Sequence, residues 1–145
     1  LLSKGGVSMV LEVVLRDMGC KVTPQRLAIY EVLKNCNMHP TAETIYNIIS
    51  SDYPTMSLAT VYKTLDLLKE TGIIQELNIA GNTSRYDVIS KPHPHILCTK
   101  CGRIENMDIS LPKNMVSKAK KISGYDIQSF QLYFFGVCPY CRNNE

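Results

Sequence analysis

The chain has 145 residues, 45% hydrophobic and 20% charged, with no Trp and a formal net charge of +3 at pH 7. That composition describes a soluble protein of one ordinary domain or two small ones, and no apolar run approaches the ~18 residues of a membrane span. The charge is only mildly basic, so a nucleic-acid surface has to come from local clustering of Lys and Arg rather than from overall charge.

The first eight residues, LLSKGGVS, lack the charged start, apolar stretch and cleavage site of a signal peptide, and the fold is read from Met9 onward. Residues 9–18 carry apolar positions at helical spacing and meet Gly19, a helix terminator. A second helix opens at Thr23-Pro24, where threonine caps free amides and proline loses nothing at the first helical position. Leu27, Tyr30 and Leu33 form its inward stripe. Pro40-Thr41 opens a third, AETIYNIIS, with Ile45, Ile48 and Ile49 apolar, ending near Asp52-Tyr53-Pro54. Ser57 caps a fourth, with Leu58, Val61, Leu65 and Leu68 on one face, Tyr62, Lys63, Asp66 and Lys69 on the other, and Gly72 as its stop. A short helix, a tight link and a second helix with a polar outer face are what a helix-turn-helix requires.

After Gly72 the period drops to about 2 through Ile73 to Ile79, turns at Ala80-Gly81-Asn82, and resumes over Arg85 to Ile89. A hairpin behind a helix-turn-helix is a winged helix. Tyr62 is the candidate for apolar contact with a thymine methyl, Lys63 for a base edge or phosphate, and Arg26 for phosphate.

The second half reads as strand (HILC), cysteine turn, strand (RIENMDI), a helix capped by Ser110 with Pro112 in its first turn, and a long strand from Tyr125 to Gly136. Lys118, Lys120 and Lys121 sit at the helix C-terminal end, where positive charge suits the dipole, and Gly124 closes it. Ile127, Phe130, Leu132 and Phe134 are candidate buried positions on the last strand. Three strands and one helix leave an apolar face and an open edge, which dimerisation through the sheet would cover.

With no targeting or membrane signal the expected compartment is the cytoplasm, where thiols stay reduced, so the cysteines predict metal rather than disulfides. Cys98/Cys101 and Cys138/Cys141 form two CxxC pairs separated by 36 residues. Each pair supplies two thiolates from one turn, and four thiolates make a closed, structural zinc site. Such a site would staple the whole second half, with binding free energy on the order of 10 kcal/mol going into folding. Cys20 and Cys36 are read as small buried hydrophobes. Neither pair is read as opening a helix in a strand-helix-strand unit, which argues against a dithiol oxidoreductase, and no enzyme is implied.

VTPQR at Val22 to Arg26, HPTAETIY at His39 to Tyr46, SLATVYKTL at Ser57 to Leu65, SRYDV at Ser84 to Val88, HPHILCTKCGRI at His93 to Ile104 and GVCPYC at Gly136 to Cys141 together resemble the ferric uptake regulator family, and within it the peroxide-responsive repressors most closely. The resemblance implies an α+β homodimeric, metal-dependent repressor that binds palindromic double-stranded DNA. It would have an N-terminal winged helix-turn-helix domain over residues 9–89, a linker at 90–92, and a C-terminal α/β dimerisation domain over 93–145 stapled by the four-cysteine zinc site. It implies a second, regulatory site for Fe2+ or Mn2+ on His39, Asp87, His93 and His95, with a fifth position falling on Asn106. His39 and His93 would be the residues oxidised by peroxide. Lys21 matches a position that reaches the minor groove.

Two departures stand out. Asn106 replaces an aspartate of the peroxide sensors, which removes a negative charge and leaves a weaker donor for a hard divalent ion. Asp108, two residues on and on the same side of a strand, is a substitute at a shift of ~6.6 Å. Asn106 also keeps open an iron, manganese or zinc uptake regulator of low peroxide sensitivity. Phe130 stands where many members place a histidine of an additional site, which leaves two metals per subunit, one structural and one regulatory.

Overall fold

The computed structural model describes residues 8–78, 83–89 and 93–144. The chain divides into two compact units, residues 1–90 and 91–145.

The first unit holds helices α1 (Ser8–Asp17), α2 (Pro24–Asn35), α3 (Ala42–Ile49) and α4 (Leu58–Glu70), then strands β1 (Ile74–Leu77) and β2 (Arg85–Val88). Three helix starts form as their residue types predict. Thr23 Oγ1 accepts from Arg26 N at 3.3 Å, with Pro24 in the first turn, and Thr41 and Ser57 accept from Thr44 N and Thr60 N, each at 3.1 Å. Gly72, at φ +75°, takes the left-handed turn that ends α4, and its N–H donates to Lys69 O at 2.9 Å. Leu11, Leu15, Ile29, Leu33, Ile45, Val61, Leu65 and Leu68 converge in one core, closed on the strand side by Ile74 and Tyr86. Ile48 is not part of it and is 51% exposed. Ala42, Ile45 and Ile49, at spacings of three and four, take the inward stripe of α3 and leave Ile48 on its flank.

Strands β1 and β2 pair antiparallel, Ile74 opposite Val88 and Gln75 opposite Asp87. Lys69, near the end of α4, reaches Glu76 at 2.6 Å and Asp66 at 3.0 Å, which ties the helix to the first strand. The turn expected at Ala80 to Asn82 and the linker expected at 90–92 lie outside the described residues.

The second unit is a three-stranded sheet in the order β4-β3-β5, built from β3 (His95–Cys98), β4 (Ile104–Asn106) and β5 (Tyr133–Gly136), with helices α5 (Met115–Ser123) and α6 (Pro139–Asn143). The hairpin partner β4 runs antiparallel to β3, whereas β5 returns parallel to it, Cys98 opposite Gly136.

Several expectations are corrected here. The helix does not begin at Ser110: a turn in which Met115 N donates to Pro112 O at 3.1 Å precedes α5, whose N-cap is Asn114 with no side-chain capping bond. The strand foreseen over Tyr125 to Gly136 is regular only at Tyr133–Gly136, because its partner β3 offers four residues of ladder. Phe130 therefore precedes the last strand, and Phe130 and Phe134 are exposed rather than buried, along with Phe135 and Ile122. β4 stops at Asn106, where Met107 N turns to bond Pro94 O at 2.8 Å. The same-side argument for Asp108 lapses with it, since Asp108 lies beyond the ladder and is exposed. No helix among the described residues is long and apolar enough to cross a membrane.

Candidate metal centres

The cysteine cluster follows from the parallel pairing of β3 with β5. Because Cys98 ends β3 opposite Gly136, the turns leaving the two strands lie side by side, and Thr99 N donates to Gly136 O at 2.8 Å. The first turn is a tight knuckle: Gly102 N donates to Cys98 O and Cys98 N to Arg103 O, both at 2.9 Å. Gly102 sits at φ +73°, a conformation that favours glycine. The second turn opens α6, with Cys138 as its N-cap accepting from Cys141 N at 3.4 Å. The second pair thus does start a helix, contrary to expectation, although a helix of five residues that no strand follows among the described residues.

The sulfurs of Cys98, Cys101, Cys138 and Cys141 all lie within 4.8 Å of one another, and Cys101 Sγ is 3.9 Å from Cys138 Sγ. A tetrahedral zinc with Zn–S bonds of ~2.3 Å has sulfur–sulfur edges of ~3.8 Å, so the donor set fits that ion in type and spacing. Backbone N–H groups of Cys101, Cys138 and Lys100 pull the Cys98 thiol down to about 6, Cys138 N donating to its sulfur at 3.3 Å. Cys141, surrounded by the other sulfurs, is pushed up to about 12. Four thiolates this close repel one another, and a dication relieves that repulsion.

In the first unit His39 and Asp87 meet. His39 is buried, its Nδ1 3.3 Å from Asp87 Oδ1, and its backbone adopts φ +48°, a costly conformation for a residue with a Cβ. Strand β2 holds it there. Tyr86 N donates to Pro40 O at 3.1 Å, and the Arg85 guanidinium donates to the carbonyls of Met38 and His39 at 3.4 and 3.3 Å. Gln75, opposite Asp87 on β1, donates to Asp87 Oδ2 at 3.4 Å. In the second unit the rings of His93 and His95 lie 4.6 Å apart, and buried His95 stacks on Tyr133 of β5 at 5.7 Å. Asn106 is the cross-strand partner of His95, so both project from the same face of the sheet. Phe130 lies in the irregular stretch before β5.

Of the residues considered for nucleic acid, Tyr62 and Lys63 are exposed on α4 and Lys21 is exposed before α2. Arg26 is half-buried and its Nη1 bonds the carbonyl of Lys21, which gives it a local structural task. Cys20 and Cys36 are half-buried rather than buried: Cys20 packs at the edge of the core, and Cys36 ends α2.

Sequence reasoning missed Gln75, Arg85, Glu43 and Tyr133. A register symmetric about Gly81 would have set Gln75 opposite Asp87. The Arg85 contacts to residues 38 and 39, the stacking of Tyr133 on His95 and the bond between Tyr62 and Glu43 join segments far apart in sequence, and no local pattern announces them.

Residues 17–135 match the profile of the ferric uptake regulator family. The chain is 35% identical over 131 residues to the peroxide operon regulator of Bacillus subtilis, covering 90% of each. Among solved structures it superposes on the Campylobacter jejuni peroxide stress regulator with TM-score 0.72, at 30% identity over 94% of this chain and 99% of that one. It also superposes on the Vibrio cholerae ferric uptake regulator with TM-score 0.71, at 27% identity over 88% of this chain and 99% of that one. The match of the profile across most of the chain, together with a relative this similar along nearly its whole length, places the protein in the ferric uptake regulator family.

Proposed function

We propose that the protein is a metal-dependent, homodimeric transcriptional repressor that senses peroxide through oxidation of His39 and His93. The observation that carries the reading is the buried pair of His39 and Asp87, kept at a costly backbone angle by Arg85 and the main chain of β2. Strain held in place by surrounding bonds at a histidine–carboxylate pair is typical of a site retained for function. Residues 9–89 form the winged-helix DNA-binding domain, with α4 as recognition helix presenting Tyr62 and Lys63, and with Lys21 and Arg26 at the phosphates or the minor groove. Residues 93–145 form the dimerisation domain beyond a linker at 90–92. The exposed Phe134, Phe135 and Ile122 give that domain apolar surface for a second copy to cover.

Cys98, Cys101, Cys138 and Cys141 hold structural zinc. His39 and Asp87 from the first unit and His93 and His95 from the second supply nitrogen and oxygen donors for one regulatory Fe2+ or Mn2+, a set suited to such ions. Ferrous iron, when bound, supplies the electron that reduces peroxide beside the imidazoles. The protein's own residues set the orientation: Gln75 and the β2 main chain fix Asp87 and His39, and Tyr133 fixes the ring plane of His95. Ligands drawn from both units make the relative position of the two domains, and so the spacing of the two α4 helices in a dimer, depend on metal.

The test is a DNA shift assay on a duplex selected from a random-sequence pool with Mn2+-loaded protein, followed by peptide mass spectrometry of the Fe2+-loaded protein after mild peroxide. Metal-dependent binding and gain of oxygen on the His39 and His93 peptides are expected. Binding without oxidation would transfer the protein to the second reading, an iron, manganese or zinc uptake regulator of low peroxide sensitivity. Asn106 favours that reading, since it offers a neutral amide on the face it shares with His95. Asn106→Asp is accordingly expected to tighten Mn2+ binding about tenfold, the lower range for changes around a metal, and to speed the oxidation. Unchanged Mn2+ titration would place Asn106 outside the ligand sphere.

A further inference from the structure

Tyr62 stands one turn into α4, 39% exposed, and its hydroxyl donates to Glu43 Oε1 at 2.8 Å. Glu43 belongs to the first turn of α3, so the bond joins the two helices of the motif through their outward faces. It is strong enough to pull the Glu43 carboxyl below its ordinary range, with the Tyr62 hydroxyl as the largest cause, and to push the Tyr62 phenol up. A tyrosine on an exposed helix face samples several rotamers, and docking on a base would have to freeze one. This bond selects one beforehand, with the hydroxyl turned back toward α3. Glu43 also places a fixed negative charge beside the recognition surface, where phosphates would approach.

We propose that Glu43 is a positioning residue for base readout: it holds Tyr62 so that the ring meets a thymine methyl, and its charge weakens contact with DNA that offers phosphates alone. The proposal rests on the reading of α4 as recognition helix. Its effect is on specificity. A seated methyl contributes about 0.8 kcal/mol, or about fourfold in affinity, whereas sequence-independent binding comes from the phosphates and is weakened by a nearby carboxylate.

The experiment uses full-length, Mn2+-loaded dimer and a duplex selected from a random-sequence pool, with each thymine of one half-site replaced in turn by uracil. The unmodified protein should lose about fourfold at one thymine. Glu43→Ala should lose that penalty and bind unrelated duplex several-fold more tightly. Glu43→Gln keeps an acceptor for the hydroxyl while removing the charge, so it should retain the uracil penalty and still bind unrelated duplex more tightly. Tyr62→Phe should lose the penalty, and its combination with Glu43→Ala should be no worse than either alone. Retention of the full penalty in Glu43→Ala, with zinc content and helicity unchanged, overturns the proposal while leaving the repressor reading standing. Failure of the unmodified protein to select any duplex overturns both.

Discussion

Cys138→Ser is expected to unfold the second unit while leaving the first folded. The core of the molecule lies in the first unit, and the buried apolar side chains of the second are Pro94, Leu97, Cys98 and Ile104 among the described residues. At about 1.5–3 kcal/mol each, these cannot offset the conformational entropy of ordering a unit that runs from residue 91 to 145. Four thiolates around zinc can, since structural zinc sites contribute on the order of 10 kcal/mol. Cys138→Ser isolates the loss of the thiolate, because the backbone N–H that donates to Cys98 Sγ remains and the serine hydroxyl can cap α6 in place of the sulfur. Zinc should fall from one equivalent per chain to none. Amide exchange should become fast over residues 93–144 and stay slow over the buried positions of α2 and α4. Persisting protection of β3 and β5 without zinc would show that packing alone holds the sheet. A strong chelator acting on the unmodified protein should reproduce the variant.

Asp87→Ala is expected to weaken regulatory-metal binding by about 100-fold or more, since loss of a ligand should exceed the 10–100-fold caused by second-shell changes. DNA binding should then require correspondingly more Mn2+, although the residues proposed to face DNA are untouched. Stability should fall much less. Asp87 is a partner of Gln75 and His39 at the edge of the core, and losing a partner of this kind costs about 1–3 kcal/mol. Comparing metal titration with urea unfolding separates the two roles: a large loss of stability with unchanged Mn2+ affinity would make Asp87 a structural residue. Asp87→Asn is the sharper variant, since it keeps the shape and a polar partner for Gln75 while removing the charge.

The helical half is largely legible in the sequence, for a local reason. Thr23, Thr41 and Ser57 satisfy amides within their own first turns, and Gly72 ends its helix by its own backbone freedom. Such signals act over three or four residues and survive any tertiary context. The stretch from Ser110 to Gly136 was misread because its structure is set from a distance. Apolar residues at Ile127, Phe130 and Leu132 read as a strand, yet the pairing with β3 begins only at its end, with Leu132 O accepting from His95 N at 3.0 Å and the ladder running from Tyr133 to Gly136. Phe130 and Phe134 read as core, yet both side chains are exposed in the single chain.

The same division runs through the candidate sites. The sequence by itself determined the donor types: two CxxC pairs offer four soft thiolates, and the resemblance at His39, Asp87, His93 and His95 implies nitrogen and oxygen donors, because ligand type and short spacing are local properties. Only the tertiary structure decided how these donors are held. The parallel return of β5 beside β3 brings cysteine pairs with 36 residues between them to within 4.8 Å. Arg85 and the β2 main chain keep His39 at a positive φ, and the end of β4 at Asn106 removes Asp108 from the face of His95. Each of these depends on which strand pairs with which, and strand pairing is a contact between distant segments that no window of sequence contains.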